Sequence, residues 1–178
     1  MDRNVNNPVN KLRLVCKLRD RAEVRDEELF SKLLPEGWRI EGRIAELDGS
    51  IVKLLGLNPS RDEFMLSLSL KKSEHLEDLV RSIIRDCWYI DIYYNFRGDE
   101  ARKAAEALGV MFEEKGAFEI KLFGVDLKVS SYPSHKALTI SYRVGWAEVS
   151  RGTVLKVHEK LCGAPKSSIL SRIMGWGR

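Results

Sequence analysis

FMLSLSLKKSEHLEDLVRSIIRDCWYIDIYYNF, residues 64–96, reads as strand, helix, strand, and the rest of the chain is interpreted around it. Phe64, Leu66, Leu68 and Leu70 alternate with Met65, Ser67 and Ser69, the period of two that buries one face of a strand. Ser73 follows in an N-cap position, with Glu74, Glu77 and Asp78 placed to suit the positive end of a helix dipole. Leu76, Leu79, Val80, Ile83, Ile84 and Cys87 recur at helical spacing and make one apolar stripe. Residues 88–96 are aromatic and β-branched, with Ile90, Ile92, Tyr94 and Phe96 on one side, which predicts a second strand.

Upstream, Leu12, Leu14, Cys16 and Leu18 share one face of a strand over 11–18. A short helix over 26–34 turns Leu29, Phe30, Leu33 and Leu34 inward and stops at Pro35-Glu36-Gly37. Trp38, Ile40, Gly42 and Ile44 alternate along a single strand over 38–47. Asp48-Gly49 is the strongest hairpin signal in the chain. Residues 51–57 form a strand or a short apolar turn, broken by Asn58-Pro59-Ser60.

Downstream, Gly98-Asp99 opens a helix with Ala101, Ala104, Ala105, Leu108, Met111 and Phe112 inward, closed by Gly116. Strands over 118–122 and 125–129 meet at Gly124, and a further strand over 138–144 follows the turn Tyr132-Pro133-Ser134-His135. A helix over 149–162 is capped by Gly163 and stopped by Pro165. In the basic amphipathic segment 164–178, Ile169, Leu170, Ile173 and Met174 recur at helical spacing before Trp176.

Residues 11–87 and 88–163 therefore share one element order, β-α-β-β-β-α, over nearly equal lengths, preceded by a polar arm over 1–10. The fold class is α+β: a twisted antiparallel sheet, or two pseudo-symmetric sheets, with helices mainly on one face and an internal duplication. This order is similar to the duplicated unit of TATA-binding-protein-like folds. Sliding clamps are similar in their use of βαβββ repeats.

The chain has 178 residues, of which 44% are hydrophobic and 31% charged, the balance of a globular protein. No apolar run is long enough for a spanning helix, and MDRNVNNPVN has no apolar core of a signal peptide. Cys16, Cys87 and Cys162 lie far apart in apolar patterns without CxxC spacing, which predicts buried free thiols in a reducing, cytoplasmic compartment. Glutamine is absent and charges of both signs are abundant, a thermophile-like composition. The net charge of +4 is unevenly placed. Residues 143–178 carry Arg143, Arg151, Lys156, Lys160, Lys166, Arg172 and Arg178 against only Glu148 and Glu159. Such an end suits a nucleic acid, an anionic membrane surface or an acidic partner, or is simply a solvated face.

No phosphate-binding glycine loop occurs, and neither His75 nor His135 has a second His or Cys nearby. His158 and Cys162 stand at i, i+4 inside an amphipathic pattern, the position of core-edge residues rather than ligands. Asp91 is the most unusual carboxylate, but alternation sets it beside Tyr89, Tyr93 and Asn95 on the polar side of its strand. No nucleophile has a recognisable context, so no cofactor, metal or catalytic residue is assigned. The reading is a non-enzymatic binding module. DNA or RNA would be contacted by Lys121, Lys128 and Arg143 on strands, with Arg151, Lys156 and Lys160 beyond them, and with Tyr89 and Tyr93 near if the sheet is continuous. An assembly protein competes with it, joined to a protein partner or a second copy through Ile169, Leu170, Ile173, Met174 and Trp176. A small-ligand site lined by Phe64, Tyr94 and Phe112, between sheet and helices, is the third reading.

Overall fold

The computed structural model describes residues 11–163, so the N-terminal arm and the stripe Ile169, Leu170, Ile173, Met174 and Trp176 lie outside the described residues. Within them the strands are β1 (Lys11–Leu18), β2 (Arg39–Glu41), β3 (Ile44–Leu47), β4 (Ser50–Leu57), β5 (Glu63–Ser69), β6 (Cys87–Arg97), β7 (Gly116–Leu122), β8 (Val125–Tyr132) and β9 (Ala137–Val144). The helices are α1 (Asp26–Leu33), α2 (Ser73–Ile83), α3 (Gly98–Leu108), α4 (Trp146–Ser150) and α5 (Thr153–Cys162). The protein is α+β, with one antiparallel sheet of nine strands in the order β2-β3-β4-β5-β1-β6-β9-β8-β7. In the first half β1 pairs with β5, β5 with β4 and β4 with β3; in the second, β6 pairs with β9, β9 with β8 and β8 with β7. The halves meet where β1 pairs with β6, setting Leu12 opposite Tyr94, Leu14 opposite Ile92 and Cys16 opposite Ile90.

Alternation along each strand sends one set of side chains under the helices. Leu14, Cys16, Leu66, Ile90, Ile92, Val52 and Leu127 are fully buried there, joined by Leu76, Leu79, Val80 and Ile83 of α2 and Ala101, Ala104 and Ala105 of α3. The small alanines let α3 lie close over β6 and β9. The other set faces away from the helices, and its members are half-buried or exposed.

Several predicted boundaries shift for identifiable reasons. The single strand expected over 38–47 is broken at Gly42-Arg43 into β2 and β3, which pair with each other as a hairpin. Ser73 is the first helical residue of α2; Lys72 takes the cap position, with no side-chain cap hydrogen bond. The helix expected to run to Gly116 ends at Leu108, because Gly109 adopts the left-handed conformation at φ +73° and closes it with hydrogen bonds to Ala105 and Glu106 carbonyls. Met111 is then 60% exposed, while Phe112 still reaches the core. Gly152, at φ +75°, likewise divides the predicted 149–162 helix into α4 and α5. Asp48 and Gly49 both have positive φ, as the two-residue hairpin between β3 and β4 requires.

Two buried histidines tie helices to strands. Ser50 Oγ accepts the Lys71 N–H at 2.8 Å and lies 2.7 Å from His75 Nδ1 in α2. Tyr94 OH on β6 lies 2.6 Å from His158 Nδ1 on α5, with Cys162 Sγ 3.9 Å from the same nitrogen. Burial raises the Tyr94 phenol well above its ordinary value and lowers His158 from 6.5 to about 4. Tyr94 therefore keeps its proton and shares a hydrogen bond with a neutral imidazole.

That pair sets a pH dependence. The folded-state pKa of His158 lies below the unfolded one, so its contribution to stability is complete above pH 6.5 and is lost as pH falls toward 4. Across that window the loss is on the order of 3 kcal/mol. Urea unfolding at stepped pH should show this decline in the wild type and a flatter profile in His158→Gln; parallel profiles would contradict the assignment.

The open face of the sheet as a candidate binding surface

Strand register, rather than proximity in sequence, assembles the face that no described helix covers. Lys53 on β4 lies opposite Ser67 on β5, and Ser67 opposite Arg13 on β1. Arg13 then faces Tyr93 on β6, Tyr93 faces Ser141 on β9, and Ser141 faces Lys128 on β8. These six side chains form one row across the sheet. At the usual strand spacing, Lys53 and Lys128 stand about 24 Å apart with Arg13 and Tyr93 between them.

Beside this row Asn95 pairs with Thr139 and Thr139 with Ser130. The short side chains of Ser130, Thr139 and Ser141 leave a trough of about 590 Å³ beside the longer Arg13, Met65, Tyr93 and Lys128. Arg13 and Lys128 line it and no carboxylate does, so the trough is electropositive. Neither cation has an ion-pair partner among the described residues. Asn95 Oδ1 is buried in the trough wall with no hydrogen-bond partner among the described residues. Tyr93 is 42% exposed. Burial, and then the neighbouring Asp91 carboxylate, raise its pKa, so it offers a neutral ring and a donating hydroxyl. A second hollow of about 270 Å³, lined by Leu55, Gly56, Leu57, Asn58, Phe64 and the carboxylate-bearing Glu63, continues from Val15 and Met65 toward β4.

The cations singled out in the sequence separate into two groups. Lys121, Lys128 and Arg143 are on the open face, on β7, β8 and β9. Arg151 lies between α4 and α5, and Lys156 and Lys160 are exposed on α5, in the helical layer behind the sheet. Among the first three, Arg143 is already engaged. It donates to both Asp91 carboxylate oxygens, at 2.7 and 3.1 Å, and stacks 3.7 Å above the Tyr89 ring. The Asp91 hydrogen bond raises its pKa. Lys121 pairs with Asp126 at 3.2 Å. Lys128 is the member that the trough uses. The side chains of Phe64, Tyr94 and Phe112 are buried in the core, with Tyr94 also bordering the trough and Phe64 the hollow beside it.

Sequence patterning alone does not single out Arg13, Lys53 or Asn95. Arg13 and Lys53 occupy the polar phase of strands that are recognised by their apolar phase, and their convergence depends on pairings between distant segments. Among the described residues no group of three or more His, Cys, Asp or Glu is placed to hold a metal, and no helix is long and apolar enough to cross a membrane.

These features define an α+β protein with one large antiparallel sheet whose uncovered face carries an electropositive, hydroxyl-rich trough. No protein-family model matches the chain, and a search of curated proteins found no match.

Two substitutions test the energetic reading of this region. Arg143 is 59% exposed, so Arg143→Ala should lower stability by no more than about 1 kcal/mol despite its bidentate pair. Tyr142 OH is buried without a partner among the described residues, so Tyr142→Phe should leave stability unchanged or raise it by about 1 kcal/mol. Urea midpoints of both variants check the two expectations.

Proposed function

We propose that the protein is a non-enzymatic module that binds nucleic acid, DNA or RNA, across the open face of its sheet. The observation that carries this reading is the carboxylate-free trough between Arg13 and Lys128, in line with Lys53 and with Tyr93 exposed at its centre. Cations along such a row would meet phosphates, and an exposed aromatic ring would stack on a base. The hydroxyls of Ser67, Ser130, Thr139 and Ser141 add donors and acceptors without bulk, so a strand could approach the sheet closely. Arg151, Lys156 and Lys160 lie behind the sheet and have no part in this site.

The finer account of the fold also belongs to this proposal. Apart from β2, which has no counterpart among the described residues of the second half, matching strand pairings in residues 11–87 and 88–163 support an internal duplication of TATA-binding-protein-like element order. Under that reading Ser67 and Ser141 are equivalent positions on β5 and β9, as are Lys53 and Lys128 on β4 and β8. The row would then be a pseudo-symmetric track.

A second reading, a small anionic ligand held in the trough, is favoured by its size, since about 590 Å³ lies within the range of small-molecule sites. Fluorescence anisotropy with a labelled oligonucleotide and with a labelled mononucleotide separates the two. Binding of the oligonucleotide should weaken steeply with salt. Arg13→Ala and Lys128→Ala should each remove one cation from the phosphates and make the log–log slope shallower by about 0.7 for a single strand. Tyr93→Ala should cost about 1–3 kcal/mol. A Lys156→Ala/Lys160→Ala double variant should bind as wild type. Absence of oligonucleotide binding at low salt overturns the first reading, and tight mononucleotide binding in its place supports the second.

A further inference from the structure

The two edges of the sheet differ in kind. On one side it ends in β2, only three residues long, a form that resists pairing with another chain. On the other it ends in β7, seven residues with an unbroken register against β8 from Gly116 to Leu122 and no proline. Its side chains alternate cleanly: Ala117, Glu119 and Lys121 are exposed on the open face, while Phe118, Ile120 and Leu122 are half-buried against the edge of the core. The second set leaves apolar surface at the margin of the sheet, beside backbone groups that β8 does not take.

We propose that a second copy of this chain pairs with β7 antiparallel, about a two-fold axis at Ile120, and joins the two sheets edge to edge. Parity restricts the register, because a slip of one residue would set charged side chains against the apolar face. Centring on Ile120 places Glu119 opposite Lys121 of the second copy twice over. On the other face it places Phe118 opposite Leu122 twice and Ile120 opposite itself. Moving the axis to Glu119 sets Glu119 against its own copy, and moving it to Lys121 does the same for that lysine. Charge and hydrophobicity therefore select the same register. The partner is this chain itself, because β7 is complementary to its own antiparallel copy.

Self-pairing through β7 is independent of nucleic-acid binding and is tested without it. Light scattering on the full chain should give twice the monomer mass, falling toward the monomer on dilution. Glu119→Lys and Lys121→Glu should each be monomeric, since each sets like charges opposite one another at two points. A cooperative unfolding transition in each would show that both variants remain folded. Mixing the two variants should restore the dimer mass, because every Lys at 119 or 121 of one then faces a Glu of the other. The in-chain neighbours Lys128 and Asp126 gain nothing on mixing, so recovery reports the contact between copies. A wild type at monomer mass, single variants that remain dimeric, or a mixture that stays monomeric would each overturn the proposal.

Discussion

The antiparallel pairing of β1 with β6 is the constraint on which the rest of the molecule depends. It is the seam where residues 11–87 and 88–163 become one sheet, and its registered pairs run from Lys11 opposite Asn95 to Leu18 opposite Cys87. Its buried phase, Leu12, Leu14, Cys16, Ile90, Ile92 and Tyr94, forms the middle of the core. Its other phase puts Arg13 beside Tyr93 and Val15 beside Asp91 on the open face. A slip of one residue would exchange the two phases, burying an arginine and exposing a row of leucines, at a cost of several buried aliphatic side chains. Core and open face are thus fixed by one choice of register.

What the sequence discloses follows from the range of the interactions involved. Alternation in 11–18, 64–70 and 88–96 is local, and it identifies β1, β5 and β6 within a residue or so of their observed ends. The stripe Leu76, Leu79, Val80, Ile83 identifies α2 for the same reason. The misplaced ends share a different cause. Gly42, Gly109 and Gly152 all adopt positive φ, yet each also falls within a longer periodic run, so the pattern alone carries the element past the glycine. Continuity of the sheet depends on the β1–β6 pairing, which periodicity does not encode.

The candidate site shows the same division. A count of charge along the chain weights the C-terminal fifth, but distance along a chain is not distance in space. Lys156 and Lys160 share that segment with Arg143 and yet lie in the helical layer, while Arg13, far away in sequence, stands across the trough from Lys128. Arg143 illustrates a second limit. Its charge is legible in the sequence, but its commitment to Asp91 and Tyr89 arises only when β6 and β9 pair. A cation already held by a carboxylate adds little to the field that an anion would meet. The two cations that line the trough without a described partner matter more than a larger number of neutralised ones.

The polar groups enclosed by the sheet are not all satisfied: Tyr142 OH, on the helix side, is buried without a described partner. On the helix side Ser50 with His75, and Tyr94 with His158, are mutually satisfied, and they fix α2 and α5 over particular strands. On the open side Asn95 Oδ1 has no described partner, although it lies next to Thr139 in a well-formed strand pair. An unpaired buried acceptor costs free energy in the fold. The Tyr94 phenol, one position away on β6, is directed toward α5 and is hydrogen-bonded to His158. Adjacent residues of one strand therefore differ in kind: the inward one holds a helix, and the outward one lines the trough with its amide oxygen left without a described partner.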